Sequence, residues 1–363
     1  MKMAFYGSSL LSSYWNGAAT YYRGLLSRLH ALGWTITFYE PDAFGRQQHR
    51  DIDPPDWAEV VVWPATEEGL SAVTRRAAEA DVVVKASGVG AFDVELLRVW
   101  DQARPGALRL YWDVDAPATL AELHPDPDHP LRRALPSLDF VMTYGGGDPV
   151  VNAYQALGAR RCRPIYNALD PATHHPARAE DRFRSDLSLL ANRLPDREAR
   201  IDEFFLDAAR RLPERRFLLA GNGWDDKPAS PNVDKIGHLG TADHNAFNGS
   251  ALAVLNVTRD DMARTGFSPA TRVFEAAGAG ACLITDAWEG VEMFLKPGEE
   301  VLVARDGREV AEHLSVLTPQ RARDIGEAAR LRIVREHTYG RRAAEVDALL
   351  RARLADALRQ NAA

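Results

Sequence analysis

Short, nearly all-apolar runs recur along this chain, each followed by a polar or glycine-bearing loop and then a helical pattern. In the first half they fall at residues 1–6, 35–39, 60–62, 81–84, 108–112 and 140–143. In the second half they fall at 188–191, 217–220, 253–257, 282–285 and 301–304. Runs this short and this apolar suit parallel strands covered on both faces. Between the first two, Tyr22, Leu25, Leu26, Leu29 and Leu32 recur at helical spacing, and Gly33 ends the helix. Strand, loop, helix, strand is the opening of a doubly wound sheet. The chain has 363 residues, enough for two such domains. The segment 167–176, rich in proline and polar residues, is the expected boundary. The fold class is therefore α/β, with two doubly wound, Rossmann-like domains.

Composition removes several classes. A net charge of −7 argues against nonspecific nucleic-acid binding, which rests on a basic surface. The two cysteines, Cys162 and Cys282, are far apart in sequence, so a disulfide framework is not expected and a reducing compartment is. The start, MKMAFYGSSLL, is too short and too interrupted for a secretory core. No window approaches the ~18 apolar residues of a membrane span. A cytoplasmic protein with no transmembrane segment is expected. The loop after the first strand lacks G-x-G-x-x-G, which counts against a dinucleotide there.

The richest stretch for chemistry is RTGFSPATRVFEAAGAGACLITDAWEGVEMF, residues 264–294. Ser268 is placed as an N-cap with Pro269 at the first helical position. The backbone N–H groups of such a helix start form an anion seat. Arg272 and Glu275 are three apart and project from neighbouring positions on one face. An anion seat, a guanidinium and a carboxylate one turn deeper suit a nucleotide diphosphate.

These residues resemble the C-terminal domain of GT-B glycosyltransferases, most closely the spore-maturation-protein (CgeB-like) group. The shared pattern is S-P-x-x-R-x-F-E-A-A-x-x-G, a strand ending in Thr-Asp, then F-x-x-G-x-E. Here it is carried by Ser268, Pro269, Arg272, Phe274 to Ala277, Gly280, Thr285-Asp286 and Phe294 and, after a Lys-Pro in place of the usual spacing, by Gly298 and Glu300. His337-Thr338-Tyr339 with Arg341-Arg342 resembles the family's H-T-Y-x-x-R. The resemblance implies two Rossmann-like domains facing a cleft: residues 1–168 for the acceptor and 169–340 for the nucleotide sugar. A crossover helix in 341–363 would pack back on the N-terminal domain. It also implies donor contacts from Asn192, Arg193 and Arg197, from Gly221, Asn222 and Gly223, from His238, and from Ser268, Thr271 and Arg272, with Glu275 on the ribose hydroxyls. One position departs: many relatives carry a Glu eight residues before the conserved Glu, and here that residue is Phe267.

In the first domain, Ser8, Ser9, Tyr14, Trp15, Asn16 and Lys85 suit an acceptor surface at strand ends; a surface loop with one buried aromatic fits equally. Asp113 and Asp115 end the fifth run, where a carboxylate could deprotonate an acceptor hydroxyl. A loop aspartate capping a turn is the alternative, favoured for Asp115 ahead of Ala116-Pro117. The same D-x-D triplet occurs at Asp51/Asp53 and Asp126/Asp128, so it does not single out a metal. His174 and His175 are adjacent with no acidic cluster nearby, and are expected to be linker residues. The expected activity is metal-independent sugar transfer from a nucleotide-diphosphate sugar to an acceptor hydroxyl, with no cofactor; the acceptor is not identified. The rivals are a non-catalytic nucleotide-sugar-binding or assembly protein, and a nicotinamide-dependent oxidoreductase.

Overall fold

A computed structural model describes residues 1–14 and 16–362. The chain divides into two compact units. One comprises residues 1–166 and 339–363, the other 167–338.

The first unit holds a seven-stranded, all-parallel sheet in the order β3-β2-β1-β4-β5-β6-β7. Its strands are β1 (Lys2–Tyr6), β2 (Thr35–Asp42), β3 (Ala58–Pro64), β4 (Val82–Ala86), β5 (Leu108–Asp113), β6 (Phe140–Thr143) and β7 (Cys162–Pro164). In β1, Met3 pairs with Ile36 on one side and Val82 on the other. The middle strands are buried on both faces, which is why they read as unbroken apolar runs rather than alternations. Each fully buried Val or Leu contributes about 1.5–3 kcal/mol. Tyr22, Leu25, Leu26 and Leu29 of the helix Ala18–Ala31 are buried as their spacing predicts, whereas Leu32, the C-cap, is exposed. The final helix, Tyr339–Ala362, returns to this unit and packs on Ala18–Ala31: the Tyr339 ring lies over Gly24, and Trp34 Nε1 donates to Asp347 Oδ1 at 2.7 Å.

The second unit holds a six-stranded parallel sheet in the order β10-β9-β8-β11-β12-β13. The strands are β8 (Ser185–Leu190), β9 (Phe217–Ala220), β10 (Val233–Gly237), β11 (Ala251–Asn256), β12 (Leu283–Asp286) and β13 (Leu302–Ala304). β8 starts earlier than its apolar run because Ser185 already pairs with Ala251. The reversal of strand order falls at β8 and β11, whose carboxyl ends are where open α/β sheets seat ligands. Among the described residues no helix is long and apolar enough to cross a membrane.

Candidate functional site

The loops that leave β8 and β9 are laced together. Gly221 sits at φ +121°, and a Cβ there would fall 2.1 Å from the Ala191 carbonyl oxygen, so only glycine lets the loops close. Asn222 N–H donates to Asn192 Oδ1 at 3.0 Å, and Arg193 N–H donates to the Asn222 carbonyl at 3.0 Å. The side chain of Asn192 is thus engaged in the frame. Gly223 lies against Arg193, while His238, just past β10, is exposed.

The three arginines expected at a diphosphate divide into two kinds. Arg193 is committed: Nη2 meets Glu198 at 2.8 Å and Nη1 meets Asp226 at 2.9 Å. Arg197 and Arg272 are not. Arg197 gives Nη2 to the Asn192 carbonyl at 3.0 Å, but its Nε is buried with no hydrogen-bond partner. Arg272 is 14% exposed at the side chain, and both Nε and Nη1 lack a hydrogen-bond partner. Burial pushes the Arg197 guanidinium below its usual pKa, and the charges of Arg259 and Arg272 push the same way. Each buried, unsatisfied donor costs about 1–3 kcal/mol, more when charged. Two such cations in one region call for an anion.

The helix that carries Arg272 runs Thr271–Gly278, and this corrects the expected start at Ser268. Ala270 is the N-cap, extended at ψ 152°, and no side chain caps the helix. Ser268 is buried in the extended lead-in, which Asn167 Nδ2 holds by donating to the Pro269 carbonyl at 3.3 Å and to Thr271 Oγ1 at 3.4 Å. The first amides of this helix therefore have no side-chain acceptor from a cap.

Glu275 gathers groups that the sequence kept apart. Its Oε2 lies 3.4 Å from Arg272 Nη1, and its Oε1 lies 3.8 Å from His174 Nε2. His244 completes the group, with one ligand atom from each of the three residues within 4.8 Å of the others. Burial alone would raise the Glu275 pKa, but Arg272 and then the two imidazoles hold it below the usual carboxylate value. Burial pushes both imidazoles down, His244 to about 4, with Arg272 assisting. His174 is thus not a plain linker residue; it is 5% exposed at the side chain and packed on the site. Three distant segments supply this cluster, so no local spacing could have disclosed it.

Asp286 at the end of β12 is fully buried. It accepts from Thr258 N–H and Oγ1, each at 3.0 Å, and from Arg200 Nη2 at 2.7 Å. This network fixes the start of the loop between β11 and the Thr271–Gly278 helix. Within that loop Phe267 adopts φ +48°, its N–H donates to the Glu289 carbonyl at 2.6 Å, and its ring lies where a Cβ on Gly290 would stand.

In the first unit the structure encloses most of the expected acceptor residues. Ser8 Oγ donates to Asn16 Oδ1 at 2.9 Å, and Asn16 Nδ2 donates to the carbonyls of Ser9 and Ser12. Ser9 Oγ donates to Glu40 Oε1, and Glu40 Oε2 accepts from Leu10 N–H at 2.6 Å and Leu11 N–H at 3.3 Å. Lys85 is 4% exposed and paired with Asp93 at 2.8 Å. These side chains hold the loops together rather than facing out. Tyr14 is exposed and stacked on His49 with centroids 4.0 Å apart, and Trp15 lies outside the described residues. Asp113 is corrected too. It is fully buried, with Oδ1 accepting from Asp115 N–H and Thr119 Oγ1 and Oδ2 accepting from Tyr154 at 2.5 Å. A carboxylate so enclosed is not presented to an acceptor hydroxyl. Asp115 remains half-buried at the same strand end.

Residues 197–348 match the family described as glycosyl transferase-like. The fold is similar to sucrose-phosphate synthase from Thermosynechococcus elongatus, with TM-score 0.70 and 14% identity over 98% of this chain and 100% of that one. It is similar to HepE of Anabaena in complex with UDP and glucose, with TM-score 0.68 and 14% identity over 97% and 100%. It is also similar to AviGT4, a glycosyltransferase involved in avilamycin A biosynthesis, with TM-score 0.63 and 18% identity over 98% of each chain. Among curated protein sequences none matches at a significant level. The two parallel-sheet, Rossmann-like units are those of the GT-B fold.

Proposed function

We propose that this GT-B chain, matched to the glycosyl transferase-like family over 197–348, transfers a sugar from a nucleoside-diphosphate sugar to an acceptor hydroxyl. The observation that carries the reading is the pair Arg197 and Arg272, two half-buried guanidiniums with buried N–H groups left unpartnered near an uncapped helix start. A diphosphate supplies the missing acceptors, and guanidiniums take phosphate oxygens with two parallel bonds. As the sugar leaves, charge grows on the diphosphate, and fixed cations stabilise that charge without reorganising. Transfer on this reading needs no metal. Glu275 takes the ribose hydroxyls, as the resemblance implies. Asp115, rather than the enclosed Asp113, is assigned the acceptor proton. The pattern from Ser268 to Glu300 supports the CgeB-like group. Free Cys162 and Cys282 support a reducing, cytoplasmic setting.

A dinucleotide on the first sheet finds less support. The Leu10 and Leu11 amides, which a pyrophosphate would need, already bond Glu40. The enclosure of Asp113, Ser8, Ser9 and Lys85 favours a second reading, a nucleotide-sugar-binding protein without turnover. Calorimetric titration with UDP-, GDP-, ADP- and dTDP-sugars in EDTA, beside an assay for released nucleoside diphosphate, tests both. Binding with release supports transfer; binding without release at any acceptor favours the second reading; no binding overturns both.

A further inference from the structure

We propose that His174, His244 and Glu275 form a binding site for one divalent transition-metal ion of the zinc class. The three come from separate segments of the second unit, yet one ligand atom from each lies within 4.8 Å of the other two. Two of these residues have a buried ring nitrogen without a hydrogen-bond partner: Nε2 of His174 and Nδ1 of His244. In the His174 ring the other nitrogen has a partner: Nδ1 meets Thr173 Oγ1 at 3.0 Å. Such outer partners fix the orientation of a ligating imidazole and select which nitrogen is left for the metal. His174 is 5% exposed at the side chain, so its open nitrogen faces the protein and not solvent, 3.8 Å from Glu275 Oε1.

The donor set selects the ion. Two imidazoles and one carboxylate suit zinc, cobalt, nickel or iron, whereas calcium and magnesium require cages of oxygen. Depression of both imidazole pKa values by burial keeps their lone pairs unprotonated at neutral pH. Tetrahedral zinc with bonds of ~2.0–2.1 Å places its ligand atoms roughly 3.4 Å apart, so the side chains draw in by up to about an ångström or more on binding. Three protein ligands leave a fourth position for water. Arg272 stands beside Oε2, whereas Oε1 is the carboxylate oxygen near His174. It holds the carboxylate in place, and its charge makes the site weaker than one without a neighbouring cation. If Glu275 also takes the donor ribose, as the functional reading above has it, metal and nucleotide exclude one another. Zinc would then lower nucleotide affinity rather than support transfer.

The test is titration of the chelator-treated full-length protein with Co²⁺. The expected result is visible d–d bands that saturate at one equivalent and vanish on adding Zn²⁺. Absence of a saturable spectrum in the unmodified chain overturns the proposal, whatever the variants do. His174→Ala combined with His244→Ala should weaken Zn²⁺ binding by more than the ~10–100-fold typical of outer-partner loss, with an unchanged circular dichroism spectrum. Zn²⁺ should also raise the melting temperature of the unmodified protein, by mass action, and not that of the double variant. Equal Zn²⁺ affinity in a folded double variant overturns the site. UDP titration with and without one equivalent of Zn²⁺, with the double variant correcting for zinc held by the nucleotide, reads the competition. Zinc binding with no binding of UDP-, GDP-, ADP- or dTDP-sugar in EDTA upholds the metal site and removes the donor reading; nucleotide-sugar binding without zinc binding removes only the metal.

Discussion

Arg272 Nη1 and Glu275 Oε2 lie 3.4 Å apart on adjacent turns of one helix, yet the contact satisfies no hydrogen bond of the guanidinium. The pair is charge-balanced and still short of acceptors. Its neighbour Arg197 repeats the pattern, with Nε unpartnered under the same field.

Replacing Arg197 with Met should therefore cost binding and not stability. A hydrogen bond to a charged group is worth ~1.5–3 kcal/mol, so donor affinity should fall roughly 10- to 150-fold. The melting temperature of the ligand-free protein should hold or rise, because a half-buried, poorly satisfied cation is gone. Calorimetry beside a thermal melt reads both. A lower apo melting temperature with unchanged donor affinity would make Arg197 a structural brace.

Glu275→Ala should weaken donor nucleotide by roughly 30- to 700-fold in EDTA, from about 2–4 kcal/mol for two hydrogen bonds to one charged group. Unchanged affinity in a folded variant would sink the ribose assignment and leave the carboxylate to the imidazoles alone.

Asp113→Asn should act on folding. Its oxygens serve Asp115 N–H, Thr119 and Tyr154, and an amide cannot accept on both sides. A loss of ~1–3 kcal/mol is expected, at roughly 2–4 °C of melting temperature per kcal/mol. Turnover of the folded variant should stay within a few fold of wild type. A fall of ~10²–10⁴-fold at an unchanged melting temperature would restore Asp113 as the general base.

The His244 imidazole is pushed down from 6.5 to about 4 in the folded state, by burial first and then by Arg272. Between those values the unfolded chain binds a proton that the folded chain refuses, so acid favours unfolding there. The contribution is full above pH 6.5 and is lost as pH falls toward about 4. A His244→Asn variant removes this titration. Its melting temperature should therefore fall less steeply than wild type from pH 6.5 to 4 and run parallel above that range. Parallel curves throughout would show that His244 titrates normally. Glu275, Arg272 and His174 face the ring, and Glu275 adds a loss in the same direction as it protonates.

The two sheets were legible because parallel strands buried on both faces must be apolar throughout, and runs such as Val82–Val83–Val84 say so locally. The return of the last helix was implied by the family resemblance, and in the structure its Val346 and Leu350 are fully buried. The site was legible where its residues share a helix, as Arg272 and Glu275 do, and where the family resemblance pointed, as for Arg197. His174 and His244 reach Glu275 through the tertiary fold, and nothing near them in sequence marks the contact. The first-unit loop misled for the same reason. Ser8, Ser9 and Asn16 look like surface residues until Glu40, from a neighbouring strand, is seen to draw the loop inward.

The first unit is not continuous in the chain: it opens with residues 1–166 and is completed by 339–363, with the whole second unit between. On the ribosome this sets an order of assembly. At ~5–20 residues per second, the missing helix emerges roughly 10–35 s after the seventh strand. During that interval the nascent first unit lacks Tyr339 to cover Gly24 and Asp347 to satisfy Trp34, while the second unit has all its strands and can finish. The part made first thus closes last, and a stop codon before residue 339 would leave a finished second unit tethered to an uncovered first one.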